Sequence, residues 1–442
     1  MTRRRRQKRG FTLVELMISL VMGLIVALAA VGLARTATTT FYEQARISGV
    51  EANVRAASER LRNDLSRVAY MSTPSLRWDP QVARVPGTFG AAWRIPELTT
   101  LQGLSIAPAN PAVRSHALTT HTSNALTPQQ IEIAGNLTSD DVYRGQFIAD
   151  AGGLGCGSAQ IRLSADADAA VRRLFGGATV NSEQVQMTQL VFTPGDRMTP
   201  AVPNQQYAVQ VMDMRGCFHY LTVCNVLPSG QLNSVVLNLA GGILTTAQTG
   251  GDVCGARLME EVAIAPVHRV RWSLGPEAAG SRRIDTVVEG ATAPNKFNLY
   301  RQLLAFDGVN PIGQPELIAE YAVDLKFGLI VNSGPPAPAQ PVFTNIDFEA
   351  NDALFTQWTD PTASGQAVGA HRVRSVRYRL AFRTPLPDRR AQMLVPPGPP
   401  YISRYCMGGD PCTDWARVRT VISEVVLFNQ ARADWAPPVV TP

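Results

Sequence analysis

Glu15 is the acid most out of place in this sequence. It stands at the lip of residues 16–34, nineteen consecutive positions without a charge. A carboxylate carried into a membrane-spanning helix costs about 2.5–3.5 kcal/mol, and such acids by default have a function and a partner. A cut between Gly10 and Phe11 would create that partner, because the new α-amino group on Phe11 would be a cation at the same end of the helix. A helix N-terminus also favours a nearby anion. The chemistry this implies is neutralisation of one charge by another at a cut chain end. Two plainer readings compete with it. One is a secretory signal peptide with a small-residue site at Ala27, Leu28 and Ala29, and the other is an uncleaved N-terminal anchor. Both leave Glu15 unexplained.

The second set of reactive residues is six cysteines: Cys156, Cys217, Cys224, Cys254, Cys406 and Cys412. Their number is even, all lie beyond the apolar run, and no C-x-x-C pair occurs, which weakens zinc and thioredoxin-type readings. They are expected to form structural disulfides. Cys406 and Cys412 flank Met-Gly-Gly-Asp-Pro, a turn that brings two Cα atoms within about 6 Å. Cys217 and Cys224 bracket Phe-His-Tyr-Leu-Thr-Val, which reads as one strand. At about 3.3 Å per residue those two cysteines stand roughly 20 Å apart, too far to pair with each other. Cys156 and Cys254 are their expected partners, in an order that spacing leaves open.

No catalytic pattern is found. G-x-S-x-G, H-E-x-x-H, a P-loop and a helix-opening G-x-G-x-x-G are all missing. The five histidines (His116, His121, His219, His268, His371) are scattered, none at i,i+4 with another. The glycine-rich stretch 152–157 has no helix with a P-loop lysine behind it and reads as a turn. Asp166 and Asp168 hint at an oxygen-ligand cation site, but the loop glycine and the later bidentate acid are lacking. No metal, no cofactor and no enzymatic activity are expected.

The elements that must position these residues follow from periodicity. The chain has 442 residues with 45% apolar and 17% charged side chains, an ordinary globular composition. Its net charge of +6 comes from 41 basic and 35 acidic residues, and six of the basic ones (Arg3, Arg4, Arg5, Arg6, Lys8, Arg9) precede Gly10. Without that leader the chain is formally neutral, so the basicity argues for a cytoplasmic N-terminus and not for nucleic acid. Residues 16–34 reach about 28 Å as a helix, close to a bilayer's hydrocarbon thickness. Beyond them Ile47, Val50, Val54, Ala57, Leu61, Leu65 and Val68 recur at steps of three and four. The other face carries Glu51/Arg55 and Arg60/Asp64 at i,i+4. One continuous helix is therefore expected, with Gly32 a kink candidate and Pro74 and Pro80 marking the exit.

The rest reads as strands and turns. Strands are expected at 130–134, 142–149, 183–192, 206–213, 217–226, 232–239, 267–274, 297–305, 316–330, 372–383 and 417–428. In residues 376–383 apolar and mostly arginine positions alternate, which reads as a half-buried strand whose arginine row is a solvated edge. Proline-rich residues 333–341 and 385–400 are expected loops. The organisation expected is a leader at 1–10, a membrane half-helix at 11–34, an amphipathic half-helix at 35–71 and a β-rich head at 72–442. The fold class is α+β, a long N-terminal helix packed on a large antiparallel head.

Gly-Phe-Thr-Leu-Val-Glu after a short basic leader, followed by an unbroken apolar helix, resembles the class III signal of type IV pilins and type II secretion pseudopilins. The resemblance implies cleavage by prepilin peptidase after Gly10, N-methylation of Phe11, and a role for Glu15 as the carboxylate that docks each subunit on a neighbour's amine. Three further pieces resemble the PilW family of minor pilins, itself similar to J-type minor pseudopilins: Asn298–Arg301, Glu316–Phe327 and Val425–Asn429. The chain departs from that family in its length, with extra material around 75–130 and 333–415. What the resemblance implies is a non-catalytic, pilin-like minor pilin, anchored in the bacterial inner membrane with its head periplasmic. It would help start type IV pilus assembly and end at the tip. Its implied partners are other minor pilins, the major pilin, prepilin peptidase, the inner-membrane assembly platform and a tip adhesin. A minor pseudopilin of a type II secretion system is the alternative. A secreted β-rich enzyme or binding protein behind a conventional signal peptide is the other.

Overall fold

The structure, a computed structural model, describes residues 12–76, 79, 81–83, 101–111, 124, 126–150, 156–175, 182–193, 207–229, 231, 233–240, 255–276, 296–306, 308–335, 340–360, 368–388, 391, 402–407 and 412–430. The chain divides into two compact units, Met1–Ala52 and Asn53–Pro442. Helix α1 (Leu13–Ser66) supplies residues 13–52 to the first and residues 53–66 to the second. Gly32 lies inside this one helix.

Within the second unit α1 buries the stripe that its spacing foretells. Val54, Ala57, Leu61 and Leu65 are at most 1% exposed, and each large aliphatic buried in this way contributes about 1.5–3 kcal/mol. The helix ends at Ser66 instead of running to residue 71. Ala69 and Met71 take positive φ angles, 56° and 47°, and the Ala69 N–H leaves the helical ladder to donate to Ala134 O at 2.8 Å. The turn is pressed so closely on the sheet that a Cβ on Gly135 would clash with Arg67 O and stand 3.2 Å from Tyr70 N. Both neighbours are backbone and cannot swing aside. Gly135→Ala is therefore expected to destabilise the second unit by about 1–3 kcal/mol, measured as a lower urea midpoint. An unchanged midpoint would mean that the turn yields freely.

Among the described residues fifteen strands form two antiparallel sheets. The first holds β1 (Leu104–Pro108), β2 (Gln129–Gly135), β3 (Tyr143–Asp150), β4 (Ala159–Ser164), β5 (Tyr207–Met212), β6 (Phe218–Pro228), β7 (Ser234–Ala240), β8 (Glu261–Pro276), β9 (Phe297–Leu304) and β10 (Pro311–Ala319). Its organiser is β8. The first part of β8 pairs with β3 on one side and β5 on the other, and since β3, β4, β7, β6 and β5 pair in succession, these six strands close into a ring. The second part of β8 pairs with β2 and β9 and lies in an open sheet of order β1-β2-β8-β9-β10. Closure removes the free edges that short strands otherwise expose. The ring interior is filled by apolar side chains, among them Phe147, Ile161, Val209, Leu221 and Leu237, each 0% exposed. Two helices add to it, α2 (Ala169–Leu174) and α3 (Ser182–Phe192), through Val171 and Phe192.

The second sheet has the order β12-β11-β13-β15-β14, with β11 (Ala322–Asn332), β12 (Phe343–Ile346), β13 (Val373–Arg383), β14 (Arg404–Cys406) and β15 (Trp415–Val426). Helix α4 (Asp352–Thr359) starts at Asn351, whose side chain caps Ala353 N at 3.1 Å. The architecture is α+β, a long helix whose later turns pack on an antiparallel β-rich head.

Three further expectations need correction. Residues 183–192 form helix α3 and not a strand. Val185 and Met187 alternate as in a strand, but the covered positions are Val185, Thr188 and Phe192, at steps of three and four, while Met187 is exposed. Residues 316–330 are not one strand. The chain breaks at Glu320–Tyr321, where Tyr321 has φ 60°, so that β10 stays in the first sheet and β11 enters the second. Strand β13 is no edge either. It lies between β11 and β15, and Arg379 and Arg383 are 4% and 1% exposed. Arg379 is held by Asp324 at 2.7 Å and Glu349 at 2.9 Å, and the Arg383 guanidinium lies 5.0 Å from the Tyr321 ring centre. Burial there is sustained by ion pairs and π contacts that alternation cannot reveal.

Candidate functional site

The N-terminus of α1 is a reciprocal cap. The Thr12 N–H and hydroxyl both donate to Glu15 Oε2 at 3.0 Å, and the Glu15 N–H donates to Thr12 Oγ1 at 3.3 Å. This is the S/T-x-x-E capping box, and Thr12-Leu13-Val14-Glu15 carries its signature openly. The sequence offers the Phe11 α-amino group as the partner of Glu15; the structure adds Thr12. Gly10 and Phe11 lie outside the described residues. Behind the cap the helix is apolar all round: Leu16, Met17, Ile18 and Leu20 point in different directions and are 56–65% exposed. A helix apolar on every face requires a protein core or a membrane around it, and this one is long and apolar enough to cross a bilayer.

Farther along, in the second unit, the helix is clamped by a buried acid. Asp64 Oδ2 accepts from Trp272 Nε1 at 2.9 Å and from Arg301 Nε at 2.8 Å. Trp272 sits on β8 and Arg301 on β9, so one carboxylate joins α1 to two neighbouring strands of the open sheet. Arg301 also reaches Glu316 at 3.4 Å, and Arg60 reaches the same Glu316 at 3.7 Å. Arg60 and Asp64 are thus not the expected solvated pair. Asp64 stands three residues after Leu61 and four before Val68, on the margin of the buried stripe, and that spacing was the available signal. On the second sheet, Tyr378 Oη donates to Ser58 O at 3.1 Å. Asn429 Nδ2 donates to Val68 O at 3.3 Å, just past the helix end. Arg301, Glu316 and Asn429 all come from the three short pieces singled out in the sequence.

The cysteines are distributed over both sheets. Cys156 is bonded to Cys224, with Cα atoms 5.7 Å apart, and Cys406 to Cys412 at 6.0 Å. Cys217 is also in a disulfide, and Cys254 lies outside the described residues. Beside Cys217, the carboxylate of Asp213 accepts from the N–H groups of Arg215 and Cys217 (2.9 Å each) and Gly255 (2.7 Å), and from His219 Nε2 at 3.1 Å. Burial pushes the Asp213 carboxyl up, but the hydrogen bonds from His219, Gly255 and Cys217 outweigh it and hold it below the usual range. Asp168 is the N-cap of α2, accepting from Ala170 N at 3.1 Å and Arg144 N at 2.7 Å. Among the described residues no group of three or more His, Cys, Asp or Glu side chains is placed to hold a metal ion.

His268, on β8, is 2% exposed and its Nε2–H donates to Val191 O at 3.2 Å. Burial lowers its pKa to about 4, which the Val191 bond opposes and the Arg301 charge reinforces. A depressed folded pKa leaves stability intact above the unfolded value of about 6.5 and removes it as pH falls toward 4. Between those limits roughly 3 kcal/mol should be lost. In His268→Gln that slope should flatten, read from urea midpoints taken at intervals between pH 7 and pH 4; an unaltered slope would exonerate His268.

Residues 5–31 match the prokaryotic N-terminal methylation motif. No curated protein and no solved structure matches the chain. The motif supports a type IV pilin-like or pseudopilin protein, and it implies processing by prepilin peptidase and handling by the membrane pilus assembly machinery. Together with the apolar helix it fits an inner-membrane-anchored pilin.

Proposed function

We propose that this chain is a minor pilin of the PilW type, acting by packing and not by catalysis. It stands in the inner membrane with the leader cytoplasmic and the head periplasmic, is cut after Gly10 and is methylated on Phe11. The observation that carries this reading is the methylation motif running straight into a capped helix that is apolar on every face. Such a surface is stable in lipid and equally stable against other such helices, so the subunit can pass from the bilayer into a filament core. Glu15 leaves lipid at lowest cost by meeting a Phe11 amine of a neighbour. With other minor pilins the subunit seeds polymerisation of the major pilin and remains at the tip, where a large disulfide-braced head has room.

Three measurements test this. The mass of the mature N-terminal peptide should correspond to methylated Phe11; a mature end near Ala30 would mean conventional secretion. Deleting the gene should abolish surface pili while leaving type II secretion intact, and the opposite pattern would make the chain a pseudopilin. Immunogold label spread evenly along sheared pili would exclude the tip position.

A further inference from the structure

The helix beyond the apolar run has features that the span itself does not use. Residues 36–40 read Thr-Ala-Thr-Thr-Thr, a polar stretch by composition. Every one of its hydroxyls is nevertheless satisfied within the helix. Thr36, Thr38, Thr39 and Thr40 donate to the carbonyls of Gly32, Ala34, Arg35 and Thr36, at 3.0, 2.8, 2.5 and 2.9 Å. A threonine bonded in this way presents mainly its methyl group outward, so this stretch costs little to place against lipid. Just above it stand two exposed aromatic residues, Phe41 at 68% and Tyr42 at 62%, in edge-to-face contact with centroids 6.1 Å apart.

Arg35, Thr39, Tyr42 and Arg46 follow one another at steps of four, three and four, and therefore share one stripe of the helix. Arg46 Nε donates to Tyr42 O at 3.4 Å. Glu43, the one acid in this stretch, stands four residues after Thr39 and three before Arg46 and so neighbours them on the helix surface. The spacing from the cytoplasmic end fits a particular depth. A helix entering the hydrocarbon at Leu16 with a tilt of about 20° leaves a core of about 30 Å near residue 37, and Tyr42 then stands about 7 Å beyond. That is the headgroup layer, where amphipathic aromatic rings are preferred.

We propose that residues 35–46 form a phospholipid-headgroup collar on the outer leaflet of the membrane. Phe41 and Tyr42 seat in the carbonyl and phosphate layer, and the Arg35 and Arg46 guanidinium groups bind lipid phosphates on either side of Tyr42. The collar fixes the depth of α1 and so keeps the Thr12–Glu15 cap at the opposite surface. This rests on the membrane-spanning reading above and adds a defined lipid contact to it.

The test uses the full chain, alone, in vesicles of phosphatidylethanolamine and phosphatidylglycerol, so that no other pilin can cover the helix. Nitroxide labels at cysteines introduced for Ile25, Thr38 and Ser48 report depth through oxygen and nickel-chelate accessibility. Expected are a deep label at Ile25, one at the edge of the hydrocarbon at Thr38 and one in water at Ser48. In the variant Arg35→Ser/Tyr42→Ser/Arg46→Ser, the Thr38 label should shift by about 3 Å or more, two residues of helix rise. A Thr38 label in bulk water with Ile25 still deep, or a depth that the triple variant leaves unchanged, overturns the collar while the span stands. A water-exposed Ile25 label overturns the membrane reading itself.

Discussion

Asp64→Ala should cost the protein about 3–5 kcal/mol, the loss expected when one partner of a buried charge pair is removed. The substitution leaves the Arg301 guanidinium, whose side chain is 15% exposed, without its 2.8 Å partner. It also strips the acceptor from Trp272 Nε1, whose ring is 0% exposed. Urea unfolding followed by tryptophan fluorescence measures this, with Trp272 one of the six indoles that report the transition. Asp64→Leu combined with Arg301→Met should recover most of the loss, since replacing both charges with apolar groups removes the unpaired cation. A loss below about 1 kcal/mol in the single variant would reduce the contact to a surface ion pair. An equally large loss in the double variant would show that packing, not the charge pair, holds the helix.

At the other end of the helix, Glu15 has two separable duties. As the N3 residue of a capping box it accepts from the Thr12 N–H and hydroxyl. As the assembly carboxylate proposed above it supplies a charge. Glu15→Gln separates the two, because glutamine also closes a capping box but carries no charge. The expected outcome is normal cleavage and membrane insertion with loss of incorporation into filaments, scored by the amount of this chain in sheared pili. Thr12→Ala should do the reverse, weakening the cap and leaving the carboxylate free to pair. Filament levels in Glu15→Gln equal to those of the unaltered chain would remove the charge from the mechanism.

Much of the framework was legible in the residues themselves. The unbroken apolar run, the absence of proline between residues 11 and 71 and the stripe from Val54 to Leu65 dictated one long helix with a buried later half. Helical burial repeats every three or four residues, and a sequence displays that repeat without help. The same holds for most strands, whose alternation requires no knowledge of partners. Residues 183–192 failed for an instructive reason: Val185 and Met187 satisfy an alternating pattern while Val185, Thr188 and Phe192 satisfy a helical one. Only the ring interior beside them chooses between the two. Thr12 was readable and overlooked, since its capping signature lies in four consecutive residues.

What no local pattern could hold is pairing across the chain. The sequence by itself determined a charged leader, a cut-site motif, a capped apolar helix and a chain of antiparallel strands, because each of these is written over a few neighbouring positions. Tertiary structure alone decided that β5 returns to β8 and closes a ring, and that the break at Tyr321 hands the chain from one sheet to the other. It alone decided that β13 is interior and that Asp64 answers Arg301 and Trp272, not Arg60. Those outcomes depend on residues 208 and 237 positions apart meeting in space. The free energy of such a meeting comes from desolvation and geometry that exist only once both sheets are built.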